Sequence, residues 1–187
     1  MAEAALAKTS GAGTDPRVRA NRTMGLAIAF GVLLLDQLVK WIVMNPLHLA
    51  QRSGFPEDGI HIAPFFRFIF TANHGVSMGF LTADSQAMRW ILVLLTAGIS
   101  AFVLAWMWRE KRRDDALALA LVLGGALGNI LDRVRLGYVV DFADLHFGDI
   151  HPFLVFNVGD AAITIGVLLL LVRALLTRDR KTPSEDK

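Results

Sequence analysis

Four long apolar runs constrain the fold of this chain more than any other feature. They occupy residues 24–44, 87–108, 116–131 and 155–176 of the 187-residue chain. At a rise of about 1.5 Å per residue, three of these runs reach about 30 Å as helices, which matches the hydrocarbon core of a bilayer. The third run is shorter, at about 24 Å. The runs therefore predict an all-α membrane protein with four transmembrane helices.

Basic residues predict the orientation of these helices. Lys and Arg cluster before the first run, between the second and third runs, and after the fourth run. By the positive-inside rule, the tails 1–23 and 177–187 are cytoplasmic, whereas the loops 45–86 and 132–154 of the membrane domain 24–176 face outward. Because these charges flank the spans and have no aromatic residues among them to stack on bases, they do not indicate nucleic-acid binding.

The first outer loop contains a strand pattern. Residues 65–71 alternate, so that three phenylalanines lie on one face and other side chains lie on the opposite face. A turn signal at 73–75 follows, and residues 76–80 are suited to a returning strand. We expect a small extracytoplasmic sheet with an apolar face against the bilayer surface or over a membrane-level cleft.

Two aspartates stand beside the ends of apolar runs, where an ionised carboxylate is costly. Asp141 follows the third run in the outer loop, and Asp160 lies in the fourth run, about 8 Å below its entry point. Ionisable groups at membrane depth are functional candidates by default. Other polar side chains near the same outer level are Asn129, Asp132, Arg133 and Asn157. This density of polar residues is the strongest indication of a functional site.

Two carboxyl groups held close together have a specific chemistry available. Because like charges cannot both ionise easily, such a pair shares one proton, so that one group acts as a base toward water while the other donates to a carbonyl oxygen. This chemistry hydrolyses amides without serine, cysteine or metal, and the chain has no cysteine. The structural alternative is that Asp160 caps a helix locally and Asp141 is a loop acid. The residues alone do not favour Asp141 over Asp144 or Asp149.

Other patterns in the chain have simpler structural explanations. Asp36 and Lys40 are four residues apart in the first run, which favours an ion pair on one helix face. Gly124 and Gly128 have the spacing of close helix packing. Ser77 lies in GVSMG, which matches the serine hydrolase pattern G-x-S-x-G but follows a hairpin turn instead of a strand-to-helix elbow. The five histidines lack the spacing of a helical zinc motif, so we expect surface histidines and no metal.

Four motifs resemble those of the lipoprotein signal peptidase family, also called signal peptidase II. They are LLDQLVK, TANHGVSMGF, GGALGNILDRVRLGYVVDF and FNVGDAAITIG, in that order along residues 24–176. The resemblance implies four transmembrane helices, a small outer sheet that cradles a membrane-level site, and a catalytic dyad of Asp141 and Asp160. It also implies supporting polar side chains at Asp36, Asn73, Asn129, Asp132, Arg133 and Asn157.

The chain departs from the family pattern at a few positions. Ser77 and Met78 stand where alanine and phenylalanine are more common, which argues further against a serine nucleophile. Gly159 and Ala161 flank Asp160 where alanine and serine are common. At these two positions we expect looser helix packing that leaves the carboxylate in place.

The function implied by the resemblance is removal of signal peptides from diacylglyceryl-modified bacterial prolipoproteins, with cleavage before the lipidated cysteine by water that an aspartate dyad activates. The expected location is the bacterial inner membrane, with the site near its outer face. Expected partners are prolipoprotein substrates, membrane lipid and the inhibitor globomycin, without a cofactor. Two other classes stay open on the residues alone: a proton- or ion-coupled transporter that uses Asp36, Lys40 and Asp160, and a noncatalytic lipid-binding module.

Overall fold

The computed structural model describes residues 15–52, 59–75, 86–148 and 150–178. Its helices are α1 (Pro16–Met44), α2 (Leu49–Arg52), α3 (Gln86–Met107), α4 (Arg113–Leu136) and α5 (Val158–Arg178). Its strands are β1 (Ile60–Ala63), β2 (Phe66–Asn73) and β3 (Val139–Leu145). All the helices except α2 are long and apolar enough to span a membrane. The predicted architecture of four spanning helices with a small sheet is confirmed.

Local signals set where two of the spanning helices begin and end. α1 begins at Pro16, within the predicted tail 1–23, because Asp15 accepts a hydrogen bond from a backbone N–H of the first turn and proline is favoured there. α4 continues to Leu136 and stops where Gly137 adopts a positive φ of 91°. With 24 residues, α4 is long enough to cross the bilayer. The prediction of a short third span was therefore wrong.

α4 is the central helix of the bundle and packs against α1, α3 and α5. Its glycines allow this close approach. A Cβ atom added at Gly124 would lie 2.5 Å from the Ala29 carbonyl oxygen of α1, and one added at Gly128 would overlap the Asp36 carboxylate. The predicted packing role of Gly124 and Gly128 is confirmed. The outward faces of the other three helices carry many exposed leucine, isoleucine and phenylalanine side chains, as contact with lipid requires.

Gly125 of α4 and Gly159 of α5 pack against each other. A Cβ atom added at Gly159 would lie 2.9 Å from the Gly125 carbonyl oxygen, and one added at Gly125 would overlap the Gly159 carbonyl oxygen. The Gly159 N–H also donates a hydrogen bond to Asp36 Oδ1 (2.8 Å). The expectation of looser packing at Gly159 was therefore wrong, because the missing side chain lets the two helices approach more closely.

The sheet is antiparallel, with the strand order β1-β2-β3. β2 confirms the strand predicted for residues 65–71, but the returning strand predicted at 76–80 lies outside the described residues. β3 comes from the second outer loop, where no strand was predicted. Residues 139–144 are all buried, so they lack the alternation that marks a half-exposed strand. Phe142 of β3 packs edge-on against Phe68 of β2, with 5.6 Å between ring centres.

Candidate active site

Asp141 lies on β3 instead of in an irregular loop, and it is 1% exposed. Both of its oxygens accept hydrogen bonds from amides: Oδ1 from Asn157 Nδ2 (2.6 Å) and Oδ2 from Asn73 Nδ2 (2.9 Å). Burial raises the pKa of Asp141 to about 6, the charge of Asp160 adds to this effect, and the amide hydrogen bonds oppose it. Asp141 can therefore exchange a proton near neutral pH.

Asp160 lies in the first turn of α5, closer to the helix end than predicted, because α5 begins three residues later than its apolar run. Asn157 and Asp160 cap this helix reciprocally. The Asp160 N–H donates to Asn157 Oδ1 (2.8 Å), and the Asn157 N–H donates to Asp160 Oδ2 (3.3 Å). The capping role considered for Asp160 is therefore real, but its other oxygen, Oδ1, accepts from Asn129 Nδ2 of α4 (2.7 Å).

Two asparagines connect the two aspartates. Asn157 Nδ2 donates both to Asp141 Oδ1 (2.6 Å) and to Asn129 Oδ1 (3.1 Å), and Asn129 in turn donates to Asp160. Side chains from β3, α4 and α5 thus form one hydrogen-bonded network, within which the charge of Asp160 acts on Asp141. We call these four side chains the dyad network. The amide hydrogen bonds of this network fix the two carboxyl groups relative to each other.

Lys40 is part of this site, although its spacing in the sequence favoured only an ion pair with Asp36. That pair is present, with 2.8 Å between Lys40 Nζ and Asp36 Oδ2. The same Nζ lies 2.8 Å from Asp132 Oδ2 and donates to Asn129 Oδ1 (3.1 Å), and the side chain is 4% exposed. Lys40 therefore fixes the orientation of the Asn129 amide. The available signal was a lysine at membrane depth, where one ion pair rarely compensates a buried charge.

Asp36 and Asp132 brace the two segments that carry the dyad network. Asp36 Oδ1 accepts from the Gly159 N–H at the start of α5 (2.8 Å), and Asp132 Oδ2 accepts from the Val140 N–H of β3 (3.1 Å). Each of these N–H groups belongs to the residue immediately before an aspartate of the network. The two bracing carboxylates, joined through Lys40, thus hold α5 and β3 in register with α1 and α4.

Arg133 is close enough for its charge to interact with both aspartates. It lies one turn after Asn129 on α4, and the charges of Asp160, Asp141 and Asp132 act on its guanidinium. Its buried Nε has no hydrogen-bond partner among the residues that the structure describes. A guanidinium in this position can donate to a carbonyl oxygen on which negative charge develops.

Asp144 belongs to a different cluster, on the other face of β3. It accepts a hydrogen bond from Arg67 Nε (2.7 Å) and lies 3.0 Å from His151 Nδ1. Burial alone would raise the pKa of Asp144, but these two partners hold it below its ordinary value. His146 is buried, with its ring next to those of His61 and His151. The expectation that all outer histidines lie on the surface was therefore wrong.

Ser77, Met78 and Asp149 lie outside the residues that the structure describes. Within the described ranges, no three histidine or acidic side chains are grouped as ligands for a metal ion. The dyad network and its neighbours offer carboxyl, amide, ammonium and guanidinium groups. Among these, a carboxylate that shares a proton with a second carboxyl group is the group best suited to activate water.

A family model described as signal peptidase (SPase) II matches residues 28–176 of the chain. The chain belongs to the signal peptidase II family. It is 57% identical over 166 residues to a lipoprotein signal peptidase of Rhizorhabdus wittichii, which covers 89% of this chain and 94% of the relative. It is 50% identical over 163 residues to a lipoprotein signal peptidase of Sphingopyxis alaskensis, with 87% and 91% covered.

Two solved structures, both described as bacterial membrane enzymes, share the fold of this signal peptidase II family member. One has a TM-score of 0.70 at 27% identity and covers 88% of this chain and 95% of its own chain. The other has a TM-score of 0.68 at 28% identity, with 82% and 93% covered. The family makes the chain a protease of the lipoprotein signal peptidase type, and its four apolar helices make it a multi-pass membrane protein.

Proposed function

We propose that this protein cleaves signal peptides from diacylglyceryl-modified bacterial prolipoproteins, immediately before the lipidated cysteine, with Asp141 and Asp160 as its catalytic dyad. One observation carries the proposal: the two aspartates are joined through Asn157 and Asn129 in a single network at the adjoining ends of α4, α5 and β3. Relatives named lipoprotein signal peptidase support the class of substrate.

In the proposed mechanism, the dyad holds one proton. The ionised carboxyl group takes a proton from water, the water oxygen attacks the carbonyl carbon of the scissile peptide bond, and the protonated carboxyl group donates to the carbonyl oxygen. As the carbon–nitrogen bond breaks, the carboxyl group that accepted the proton returns it to the leaving amine. The other carboxylate takes a proton back from a hydroxyl group of the tetrahedral intermediate, so the product is a carboxylic acid and the dyad again holds one proton. A pKa of about 6 for Asp141 keeps both of its protonation states accessible near neutral pH.

The polar neighbours have positional and electrostatic roles in this mechanism. Arg133 stabilises the negative charge that develops on the carbonyl oxygen, since its guanidinium interacts electrostatically with both carboxyl groups. Asn73, Asn129 and Asn157 orient the dyad through the amide hydrogen bonds described above. The bracing aspartates hold the two chain segments at a fixed separation, which a reaction between precisely placed groups requires.

We further infer that the protein lies in the bacterial inner membrane, with both termini in the cytoplasm and the dyad near the outer face. The basic residues at the N-terminal end of α1, at 109–113 and at and beyond the C-terminal end of α5 support this orientation. Acyl chains hold the scissile bond of a lipidated substrate at the membrane interface, so a dyad at the helix ends meets the bond there. Membrane lipid and globomycin, the inhibitor of the family, are the other expected partners.

Asparagine variants of the dyad test this proposal. Asp141→Asn and Asp160→Asn remove the acid at nearly constant size, and each should lower the cleavage rate about 10³-fold while the protein still inserts and folds. Asp114→Asn, at the opposite end of α4, is the matched control and should cleave at the wild-type rate. Cleavage is followed as the size change of a lipidated prolipoprotein, with and without globomycin. Full activity in either dyad variant would reject the mechanism.

A further inference from the structure

Gln37 follows Asp36 in α1, and the mechanism proposed above gives it no role. Its side chain is partly buried between α1 and α4. The side-chain nitrogen Nε2 donates to three oxygen atoms: Asp132 Oδ1 (2.9 Å), Asp36 Oδ2 (3.2 Å) and the Gly128 carbonyl oxygen (3.3 Å). Polar side chains within a membrane span are costly, and contact with lipid does not require them, so this amide is a functional candidate.

The contacts of Gln37 fix which end of its amide faces the acids. If the amide were turned round, its oxygen would face three other oxygen atoms with no hydrogen between them. At the opposite end, Gln37 Oε1 accepts from Arg135 Nη1 (3.4 Å), and a guanidinium group can only donate. Gln37 therefore presents its N–H groups to the two bracing aspartates and its oxygen to a cation.

Gln37 bridges the two bracing aspartates, as Lys40 does, but with a different geometry. Lys40 Nζ lies 2.8 Å from Oδ2 of each aspartate. Its ammonium group rotates freely, so it compensates the charge of a carboxylate without selecting one of the two oxygens. The planar amide of Gln37 donates in fixed directions and occupies Asp132 Oδ1. Asp132 Oδ2 is thereby left for Lys40 and for the Val140 N–H.

The amide bridge leads to both acids of the dyad. Asp36 Oδ1 accepts from the backbone N–H of the residue before Asp160 (2.8 Å). Asp132 Oδ2 accepts from the backbone N–H of the residue before Asp141 (3.1 Å). A rotation of either bracing carboxylate would therefore move the chain segment that carries one acid of the dyad. Gln37 opposes such a rotation at both carboxylates at once, because one nitrogen atom holds an oxygen of each.

We propose that Gln37 is a positioning residue for the dyad, because its amide bridge between the bracing aspartates sets the separation of Asp141 and Asp160. The inference rests on the proposed function, in which both acids act on one peptide bond. A displacement of about 1 Å can cost about 100-fold in the rate of such a reaction. Gln37 donates to neither acid of the dyad within the described part of the chain, so its loss should lower kcat and leave KM nearly unchanged.

The first test removes the amide bridge at nearly constant side-chain size. Gln37→Met has no N–H donor at this position, and we expect its kcat for a lipidated prolipoprotein to fall about tenfold, with KM within about twofold of the wild-type value. Gln86→Met makes the same exchange at the exposed start of α3 and should keep the wild-type kcat and KM. An unchanged kcat, or a rise in KM alone, in folded Gln37→Met would overturn the proposal.

The second test switches the donated hydrogen bond with pH. In Gln37→Glu, a protonated side chain can donate one hydrogen bond to the bracing aspartates, whereas an ionised side chain adds a third anion beside Lys40 and Arg135. The ratio of its kcat to the wild-type kcat should therefore fall about tenfold between about pH 5 and about pH 8. The same ratio for Gln37→Met should stay constant, because methionine does not titrate. A ratio independent of pH in Gln37→Glu would contradict a positioning role.

Folding of each variant is measured by thermal unfolding in detergent. If Gln37→Met does not insert into the membrane, Gln37→Glu decides alone, because its rates at the two pH values come from one preparation whose stability is measured at both. If neither variant inserts while Gln86→Met does, Gln37 serves the stability of the fold, and the positioning role is rejected.

The two proposals fail in different ways. If the wild-type protein does not cleave a lipidated prolipoprotein, or if Asp141→Asn keeps full activity, the proposed function is rejected. If the wild type cleaves and Asp141→Asn does not, but both Gln37 variants match the wild type, the peptidase function stands and the positioning role of Gln37 is rejected.

Discussion

Two acids on β3 are equally buried but differ in their protonation. Asp141 and Asp144 are each 1% exposed, yet the pKa of Asp141 is raised to about 6 and that of Asp144 is lowered. Asp141 accepts hydrogen bonds from two neutral amides near a second carboxylate, whereas Asp144 is paired with Arg67 and His151. The charge of the neighbours, and not burial alone, thus decides which of the two acids takes up a proton closer to neutral pH.

The two acids of β3 also suit different roles, Asp144 in holding the structure together and Asp141 in proton transfer. Arg67 and Asp144 are register partners, so their ion pair fastens β2 to β3. His151 belongs to the loop that joins β3 to α5, so its contact with Asp144 fastens that loop to the sheet. A charged acid with a cationic partner suits a fixed structural link, and an acid that is partly protonated suits proton transfer.

The largest expected effect is a difference between the two asparagine variants: the change at Asp141 should lower activity, and the change at Asp144 should lower stability. Asp141→Asn should lose about 10³-fold in cleavage rate without a loss of thermal stability, because it removes an acid whose ionisation is unfavourable in the folded protein. Asp144→Asn should keep most of the activity of the folded protein and lose about 2 kcal/mol of stability, because it removes the ion pair between Asp144 and Arg67. Cleavage assays and thermal unfolding in detergent measure both quantities. If Asp144→Asn lost as much activity as Asp141→Asn at unchanged stability, this difference in role between the two acids would be contradicted.

Lys40→Met is expected to have the next largest effect. It leaves Asp36 and Asp132 without their shared cation and should cost about 3–5 kcal/mol of stability, whereas Lys111→Met at an exposed position should change stability by less than about 0.5 kcal/mol. Because Lys40 lowers the pKa of Asp141, its loss should also move the acid limb of the activity profile to higher pH. An unshifted profile in the folded variant would limit Lys40 to a structural role.

The pH dependence of stability should have opposite signs for the two acids. The pKa of Asp141 is higher in the folded protein than its ordinary 3.8, so its contribution to stability is complete below about pH 4 and falls by about 3 kcal/mol as the pH rises to about 6. The pKa of Asp144 is lowered, so its contribution is present above pH 3.8 and is lost as the pH falls through the folded value. Unfolding of the wild type and the two asparagine variants between pH 3 and 7 measures this difference. Parallel curves for the two variants would contradict it.

The smallest effect is expected at Gly137. This residue begins the turn into β3, the strand that carries both acids, so a change there should affect both alike. Its φ of 91° strains an alanine, although an added Cβ atom would meet nothing closer than 3.8 Å. Gly137→Ala should therefore cost about 1 kcal/mol. Gly31→Ala, in the middle of α1 with nothing within 4 Å, is the control and should be neutral or stabilising in the same unfolding assay. Equal destabilisation by both substitutions would show that backbone strain at Gly137 is not the cause.

The spans and the members of the site followed from the sequence because hydropathy and four ordered motifs are local signals. The helical continuation to Leu136 did not, because Asp132 and Arg133 end the apolar run while their tertiary contacts keep them helical. β3 was missed because a strand buried on both faces shows no alternation. The full role of Lys40 depends on α4 lying beside α1, which no local pattern reveals.

The facing glycines of α4 and α5 limit the substitutions that this sequence can accept. A methyl group at Gly125 or Gly159 would meet the backbone of the other helix, so neither position can change without moving that backbone. Separation of the helices would also stretch the bond between Asp36 and the N–H before Asp160. An alanine at Gly159 would therefore require a different helix crossing, and with it a small displacement of the acid at the helix end.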